Sequence, residues 1–497
     1  MLPTELYQQL QKTYKVVCFV DMADISKSPG AIFKLFTDYY KSEYKENERL
    51  VFYTNKNPGI KLLEHIQQAA MTIDISNWFI LICCPVDLND HIGLTSNPMQ
   101  QLVVECDSMP LSDGFVVPDT MCVFPFKHLE INHQGAARPC CVYKTQIGRV
   151  PDQSIKEIFY SEKMEKLRDD FLNGSKPSDC SHCWNLEDNG LKSFRQANLH
   201  SDKQQLYTTW ISNPAVYSLD LKPGNVCNFK CRICNPRSSS LYAGEQLAKS
   251  TNPESKLRIQ QLIDDSRWFE NSEKFIQEFE ELLCQIENLD FYGGEPFLLK
   301  NLNTVLSKAI KLGQAHHIRL HFNTNGSIFP AHLLDTFKKF KHVDLAISLD
   351  CIGGRFEYER GGVWTEIEEN IKKLSQLTDD QFNVYLFPTV NIQNVLYLDE
   401  LYSWAQSNGL KIFLNFLEEP QLMSIDCMTQ AAKDLVFAKF QNSDIPELQN
   451  IANRVKKSPG NDGKKFIEYM QQLDNWRNES FSLAHTEIAN AMGYVLK

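Results

Sequence analysis

The sequence predicts an α/β protein. Six strand-like runs, residues 217–222, 289–292, 318–323, 343–349, 384–390 and 411–416, alternate with helical segments such as 299–312, 331–340, 365–377 and 398–408. Such alternation indicates a parallel sheet covered by helices, and we expect its strands to be continuous apolar runs. Two further observations complete the prediction. A shorter strand–helix alternation occupies the first 110 or so residues, and two groups of cysteines lie before and within the first βα unit.

At 497 residues the chain exceeds one hydrophobic core and suggests roughly three domains. With 43% hydrophobic and 23% charged residues its composition is ordinary. A net charge of −11 argues against loose polyanion binding, so a nucleic-acid partner is not expected. The opening MLPTELYQQLQKTYK has no apolar h-region, and the longest apolar run, residues 78–86, is far short of the roughly 20 residues that cross a bilayer. We therefore expect a cytoplasmic protein without a membrane partner, whose 15 cysteines stay reduced and whose clustered ones bind metal.

In chain order, residues 1–112 read as a small α/β domain of unassigned role. Its strand-like runs are 15–20, 49–54 and 78–84, with helical spacing at 32–44 and 60–70, which implies a parallel sheet with right-handed crossovers. Loops at carboxyl strand ends, such as 55–59, are where a ligand would bind. Cys18, Cys83 and Cys84 fall in apolar runs, where thiols behave as small hydrophobes.

A polar link leads to the first cysteine group, within residues 118–200. It comprises Cys122, then Gly135 and Cys140-Cys141, then Cys180-Ser-His-Cys183-Trp184. Four thiolates from Cys122, Cys140, Cys180 and Cys183 would close every position of an iron–sulfur cluster. A four-cysteine zinc site uses the same ligands. Gly135, with four residues between it and Cys140, favours that thiol over Cys141.

After a second link the barrel region, 213–424, begins with a strand leading into Cys227-Asn-Phe-Lys-Cys231-Arg-Ile-Cys234. Three thiolates at C-x3-C-x2-C spacing hold three corners of a cubane and leave one iron open. A zinc knuckle would close with a fourth Cys or His, and none follows within thirty residues. The ends of the later strands carry Gly293-Gly294-Glu295-Pro296, Thr324-Asn325-Gly326, and Ser348-Leu349-Asp350 followed by Arg360. By residue type alone the first two motifs are also turn sequences, and Arg360 also suits a surface pair with Glu357 or Glu359. Helical periodicity at 275–286 marks a long insertion, and 425–497 reads as a helical segment expected to pack on the open side of the barrel.

At Cys227, Cys231 and Cys234 the sequence resembles the radical S-adenosylmethionine (SAM) superfamily, whose motif is C-x3-C-x-φ-C. Here φ, usually aromatic, is Ile233. The resemblance implies a partial (β/α)6 TIM-type barrel with its site at the carboxyl strand ends. It further implies that the three cysteines bind a 4Fe-4S cluster whose open iron is chelated by SAM, and that SAM is cleaved to a 5′-deoxyadenosyl radical that abstracts hydrogen from a substrate. The Gly293–Pro296 element resembles the family's GGEP motif, with Glu295 and backbone carbonyls accepting from the SAM ammonium. Asn325 corresponds to residues facing the cofactor, and Ser348 with Arg360 to residues holding the SAM carboxylate, Asp350 facing either cofactor or substrate. The 118–200 stretch resembles a twitch or SPASM-type auxiliary module, implying a second 4Fe-4S cluster on Cys122, Cys140, Cys180 and Cys183.

From the resemblance we expect a radical SAM enzyme acting on a peptide or protein, supplied with electrons by a donor such as flavodoxin or ferredoxin. An RNA- or sugar-modifying enzyme is the alternative within catalysis. A non-catalytic, metal-stabilised scaffold is the alternative outside it, and it has no use for a SAM-complementary set at strand ends.

Overall fold

The computed structural model describes residues 118–495 except 189, 191, 200–209, 212 and 270–272, and within residues 1–117 the backbone of four strands. The chain forms two compact units. One comprises Met1–Lys127, Arg168–Pro177 and Cys183–Ala215; the other comprises His128–Leu167, Ser178–His182 and Val216–Lys497.

In the first unit, β1 (Val16–Asp21), β2 (Arg49–Thr54), β3 (Trp78–Ile82) and β4 (Val104–Glu105) pair in sequence order, all parallel. The three expected strands and their parallel arrangement are present. The expected helices, the loop at 55–59, Cys83 and Cys84 lie outside the described residues, as does the side chain of Cys18. Later in this unit the indole of Trp184 donates to Pro177 O at 2.9 Å and lies 6.4 Å from the ring of Phe171. The guanidinium of Arg195 sits 4.9 Å from the same indole and donates to the carbonyls of Asp119 and Met121 at 2.8 Å. A buried Arg is tolerable there because Glu187 also accepts from it.

The second unit is built on a nine-stranded sheet. Its strands are β5 (His128–Ile131), β6 (Ala136–Arg138), β7 (Gly148–Arg149), β8 (Ser218–Leu221), β9 (Asn288–Phe291), β10 (Arg319–Thr324), β11 (His342–Ile347), β12 (Phe382–Leu386) and, beyond β13 (Thr389–Val390), β14 (Lys411–Ile412). Their order is β14-β12-β11-β10-β9-β8-β5-β6-β7. From β14 to β5 every pairing is parallel; β6 and β7 add antiparallel at the edge. Strands of the first cysteine-bearing stretch thus extend the barrel sheet.

The helices that bear on the site are α1 (Ser240–Lys249), α2 (Leu302–Lys311), α3 (Gly353–Arg360), α4 (Trp364–Ser375), α5 (Leu398–Ser407) and α6 (Lys464–Arg477). In α2, Leu302, Val305, Leu306 and Ala309 are buried at the spacing of one helical face. The expected helix at 331–340 is two short pieces, Ala331–Leu333 and Leu334–Phe337.

The strands are not continuous apolar runs, which corrects the sequence expectation. They alternate, as in the burial of β12, where Phe382, Val384 and Leu386 are buried and Asn383 and Tyr385 are half-buried. One face carries Leu129, Leu219, Leu289, Leu320 and Val343 and, two residues on, Ile131, Leu221, Phe291, Phe322 and Leu345. The rings of Phe291 and Phe322 stack at 5.0 Å. Each such side chain contributes about 1.5–3 kcal/mol on burial. The other face is polar, so the sheet needs helices on one side only.

Two expected strands are also broken. Pro388 has no N–H to donate and separates β12 from β13; β14 is likewise separated from β15 (Asn415–Phe416), and β13 and β15 form a parallel pair of their own. The C-terminal stretch is helical as expected, with Gln430–Phe440, Pro446–Lys457 and α6 its longest elements.

Candidate functional site

The loop after β8 is held by its own polar atoms. Asn225 Nδ2 donates to Pro236 O at 2.9 Å, Cys227 N donates to Ser240 Oγ at 3.2 Å, and Ser239 Oγ donates to Phe229 O while accepting from Tyr242 N as the cap of α1. This places Cys231 in the interior and leaves Cys227 and Cys234 half-buried. Burial pushes the Cys227 thiol up to about 11, aided by the neighbouring Cys231. Burial also raises Cys234, to which Cys231 and Cys227 both contribute. Iron binding would replace the protons on these thiols. Among the described residues no three His, Cys, Asp or Glu side chains are gathered for a single metal ion. Three thiols carried on one loop suit a cubane, in which each binds a different iron.

The GGEP element packs on that loop. Glu295 N donates to Val226 O at 2.7 Å and Gly294 N donates to Ser238 O at 3.2 Å. Gly294 has φ +59° and Pro296 opens the turn Pro296–Leu298. The Glu295 side chain is fully buried, with Thr324 Oγ1 donating to Oε1 at 2.9 Å and Asn325 N donating to Oε2 at 2.7 Å. Burial pushes this carboxyl up to about 7 against those hydrogen bonds. Asn325 in turn donates through Nδ2 to Asn228 Oδ1 at 2.9 Å and approaches Cys227 Sγ at 3.9 Å. Glu295, Asn325 and the cysteine loop are thus one connected set.

Arg360 is not a surface residue. Its Nη1 lies 2.5 Å from Asp350 Oδ2, both side chains are buried, and Asp350 Oδ1 accepts from Thr389 N at 2.8 Å. Glu357 instead accepts from Trp364 N, and Glu359 from the thiol of Cys351. Arg360 ends α3, Gly361 at φ +79° closes the helix, and the carbonyl of Arg360 lies 3.9 Å from Cys231 Sγ. The Nε of Arg360 is buried with no partner. A buried cationic donor without an acceptor costs free energy unless a ligand supplies one. Ser348 is half-buried and its N–H reaches Thr324 O at 2.8 Å.

Two sets of residues escaped the sequence reading. Arg232, inside the cysteine motif, is fully buried, and a charged residue between two ligand cysteines was its only signal. The second set is a row of polar side chains at one register across six strands: Glu130, Asp220, Asp290, His321, Asp344 and Asn383. Asp220 and Asp290 share a hydrogen bond. His128 Nε2 lies 3.1 Å from Asp220, and His321 Nδ1 3.5 Å from Asp290. The other nitrogen of His128 faces Pro139 O at 2.9 Å, so both ring nitrogens meet acceptors. Burial opposes the charged ring, but Asp220 outweighs it and raises the pKa of His128. Period-two polarity in the strands was the available signal.

Of the remaining cysteines, Cys122 and Cys183 belong to the first unit and are buried. Cys140 and Cys180 belong to the second, Cys140 buried and Cys180 half-buried, while Cys141 is exposed. Among the described residues no helix is long and apolar enough to cross a membrane.

Comparison with known proteins gives two domain matches. Residues 221–402 match the radical SAM superfamily, and residues 122–184 match the SPASM iron–sulfur cluster-binding domain, a span that opens at Cys122 and closes one residue after Cys183. No curated protein matches the sequence. Among solved structures the chain is similar to Streptococcus suis SuiB bound to precursor peptide SuiA, at 13% identity over 56% of this chain and 58% of that one, with a TM-score of 0.28. It thus spans somewhat over half of that chain. It is also similar to TYW1 with a lysine-pyruvate adduct bound, at 18% identity over 45% and 73% of the two chains, with a TM-score of 0.26. A radical SAM domain works with a 4Fe-4S cluster and SAM, and a SPASM domain with auxiliary iron–sulfur clusters. The chain thus carries a radical SAM domain over residues 221–402, with a SPASM domain ahead of it over residues 122–184.

Proposed function

We propose that Cys227, Cys231 and Cys234 hold the SAM-binding 4Fe-4S cluster and that the enzyme abstracts hydrogen from a peptide or protein. When bound, cluster and SAM supply one-electron chemistry that ends in hydrogen abstraction. The chain's own residues orient the methionyl end: Ser348 and Arg360 take its carboxylate, and the carbonyls of Gly293, Gly294 and Glu295 take its ammonium. Pro296 shapes that turn. The Glu295 carboxylate holds Asn325 against the cysteine loop, and Asp350 fixes the Arg360 fork. Cys122, Cys140, Cys180 and Cys183 hold the auxiliary cluster.

The observation that carries the reading is the unpartnered, buried Nε of Arg360 beside the Cys231 loop. The peptide or protein substrate is supported by the SPASM domain, since modules of this kind often accompany peptide modification. Anaerobically reconstituted protein given dithionite should convert SAM to 5′-deoxyadenosine, and Cys231→Ala should abolish the conversion. Cleavage retained in that variant sinks the assignment. The substrate class is checked by crosslinking the reconstituted enzyme to peptide products encoded beside its gene; capture of RNA instead overturns it.

A further inference from the structure

Arg232 is among the largest fully buried side chains described, and it stands between two of the three cysteines. Its Nε donates to Tyr358 O at 3.0 Å, its guanidinium lies 3.7 Å over the Tyr358 ring, and its Nη2 meets Asp474 Oδ1 at 2.8 Å and also Glu479. The backbone of the same residue is held as firmly: Arg232 N donates to Glu359 O at 2.8 Å and Arg232 O accepts from Tyr469 OH at 2.9 Å. A second link runs in parallel, with Lys230 and Arg477 both paired to Glu245. Tyr469, Asp474 and Arg477 all lie on α6.

We propose that Arg232 is a positioning residue for the radical-generating centre, clamping the Cys231–Cys234 turn between α3 and α6. The guanidinium faces two carboxylates, so its charge is spent locally and its effect on the turn is geometric. A point charge on a flexible stem does not reproduce a planar fork held by a carbonyl, a ring and carboxylates at once. Groups one layer behind metal ligands typically govern affinity by about 10–100-fold. Residues far along the chain from the cysteine motif would on this account belong to the cluster site.

The inference rests on the cysteine loop holding the SAM-binding cluster. The test uses full-length protein reconstituted with iron and sulfide, and reads the SAM-dependent change in the EPR spectrum of the reduced cluster and the loss of that signal to a chelator. Arg232→Met should lose it about 10–100-fold faster than wild type, Arg232→Lys by less, and Tyr469→Phe severalfold. Tyr469→Phe removes one hydroxyl and keeps the core filled, so it serves if Arg232→Met does not fold. Lys433→Met, which removes a buried amine paired to Ser458, is the stability control and should lower thermal stability with the signal intact. Wild-type signal and retention in Arg232→Lys and Tyr469→Phe overturn the clamp, as does equal loss in Lys433→Met. A wild-type protein with no SAM-responsive signal overturns the cysteine reading, and the clamp with it.

Discussion

Gly294 and Val226 meet so closely that a Cβ on the glycine would lie 2.4 Å from the Val226 carbonyl oxygen. The glycine is thus required by the cysteine loop, one residue before Cys227, as well as by its own φ of +59°. Gly294→Ala should cost about 1–2 kcal/mol for the left-handed backbone and displace the loop besides. Gly493→Ala, at φ +73° with nothing near its Cβ, carries the backbone strain alone. Iron content after reconstitution should fall in the first variant and stay at wild type in the second.

Removing the Arg360 fork tests the SAM contact directly. Arg360→Ala should weaken SAM binding by about 1.5–3 kcal/mol, the range for a charge-assisted hydrogen bond, with the cluster's absorption spectrum unchanged. Calorimetric titration with SAM measures it, and unchanged affinity assigns Arg360 to structure alone.

The acid pair on the polar face predicts a pH dependence. Burial pushes Asp290 up to about 6, with Asp220 adding to the rise and His321 opposing it. A carboxyl raised in the native state stabilises the fold at low pH, and that contribution is lost as pH rises through about 6. Asp290→Asn keeps a neutral group against Asp220. Its stability relative to wild type should therefore increase by on the order of 2 kcal/mol between pH 4 and pH 8, as read by urea unfolding of the apoprotein. Parallel curves for the two proteins would refute the pairing.

The auxiliary site is tested in a protein lacking Cys227, Cys231 and Cys234. It should retain about four irons after reconstitution, the content of one complete cubane. Cys140→Ala in that background should lose them and Cys141→Ala should not. Zinc in the anaerobically purified protein would instead identify a structural zinc site.

The chain by itself determined what depends on short separations. Three cysteines within eight residues, and Gly293 through Pro296 directly after a strand, are local patterns, and local spacing was enough to single out the cysteine loop and the strand ends that surround it. The alternation in runs such as Phe382 to Leu386 was equally local; taking those strands for uniformly apolar overlooked a period-two signal that was present. Only the tertiary structure decided which polar groups meet. That Asp220 lies against Asp290 follows from parallel register between strands about 70 residues apart in sequence. That Arg360 pairs with Asp350 rather than Glu357 or Glu359 follows from where α3 ends, and that Arg232 belongs to α6 follows from the packing of residues more than 200 positions away. Ion pairs form by proximity in space, and a linear sequence carries no record of proximity until the backbone has folded.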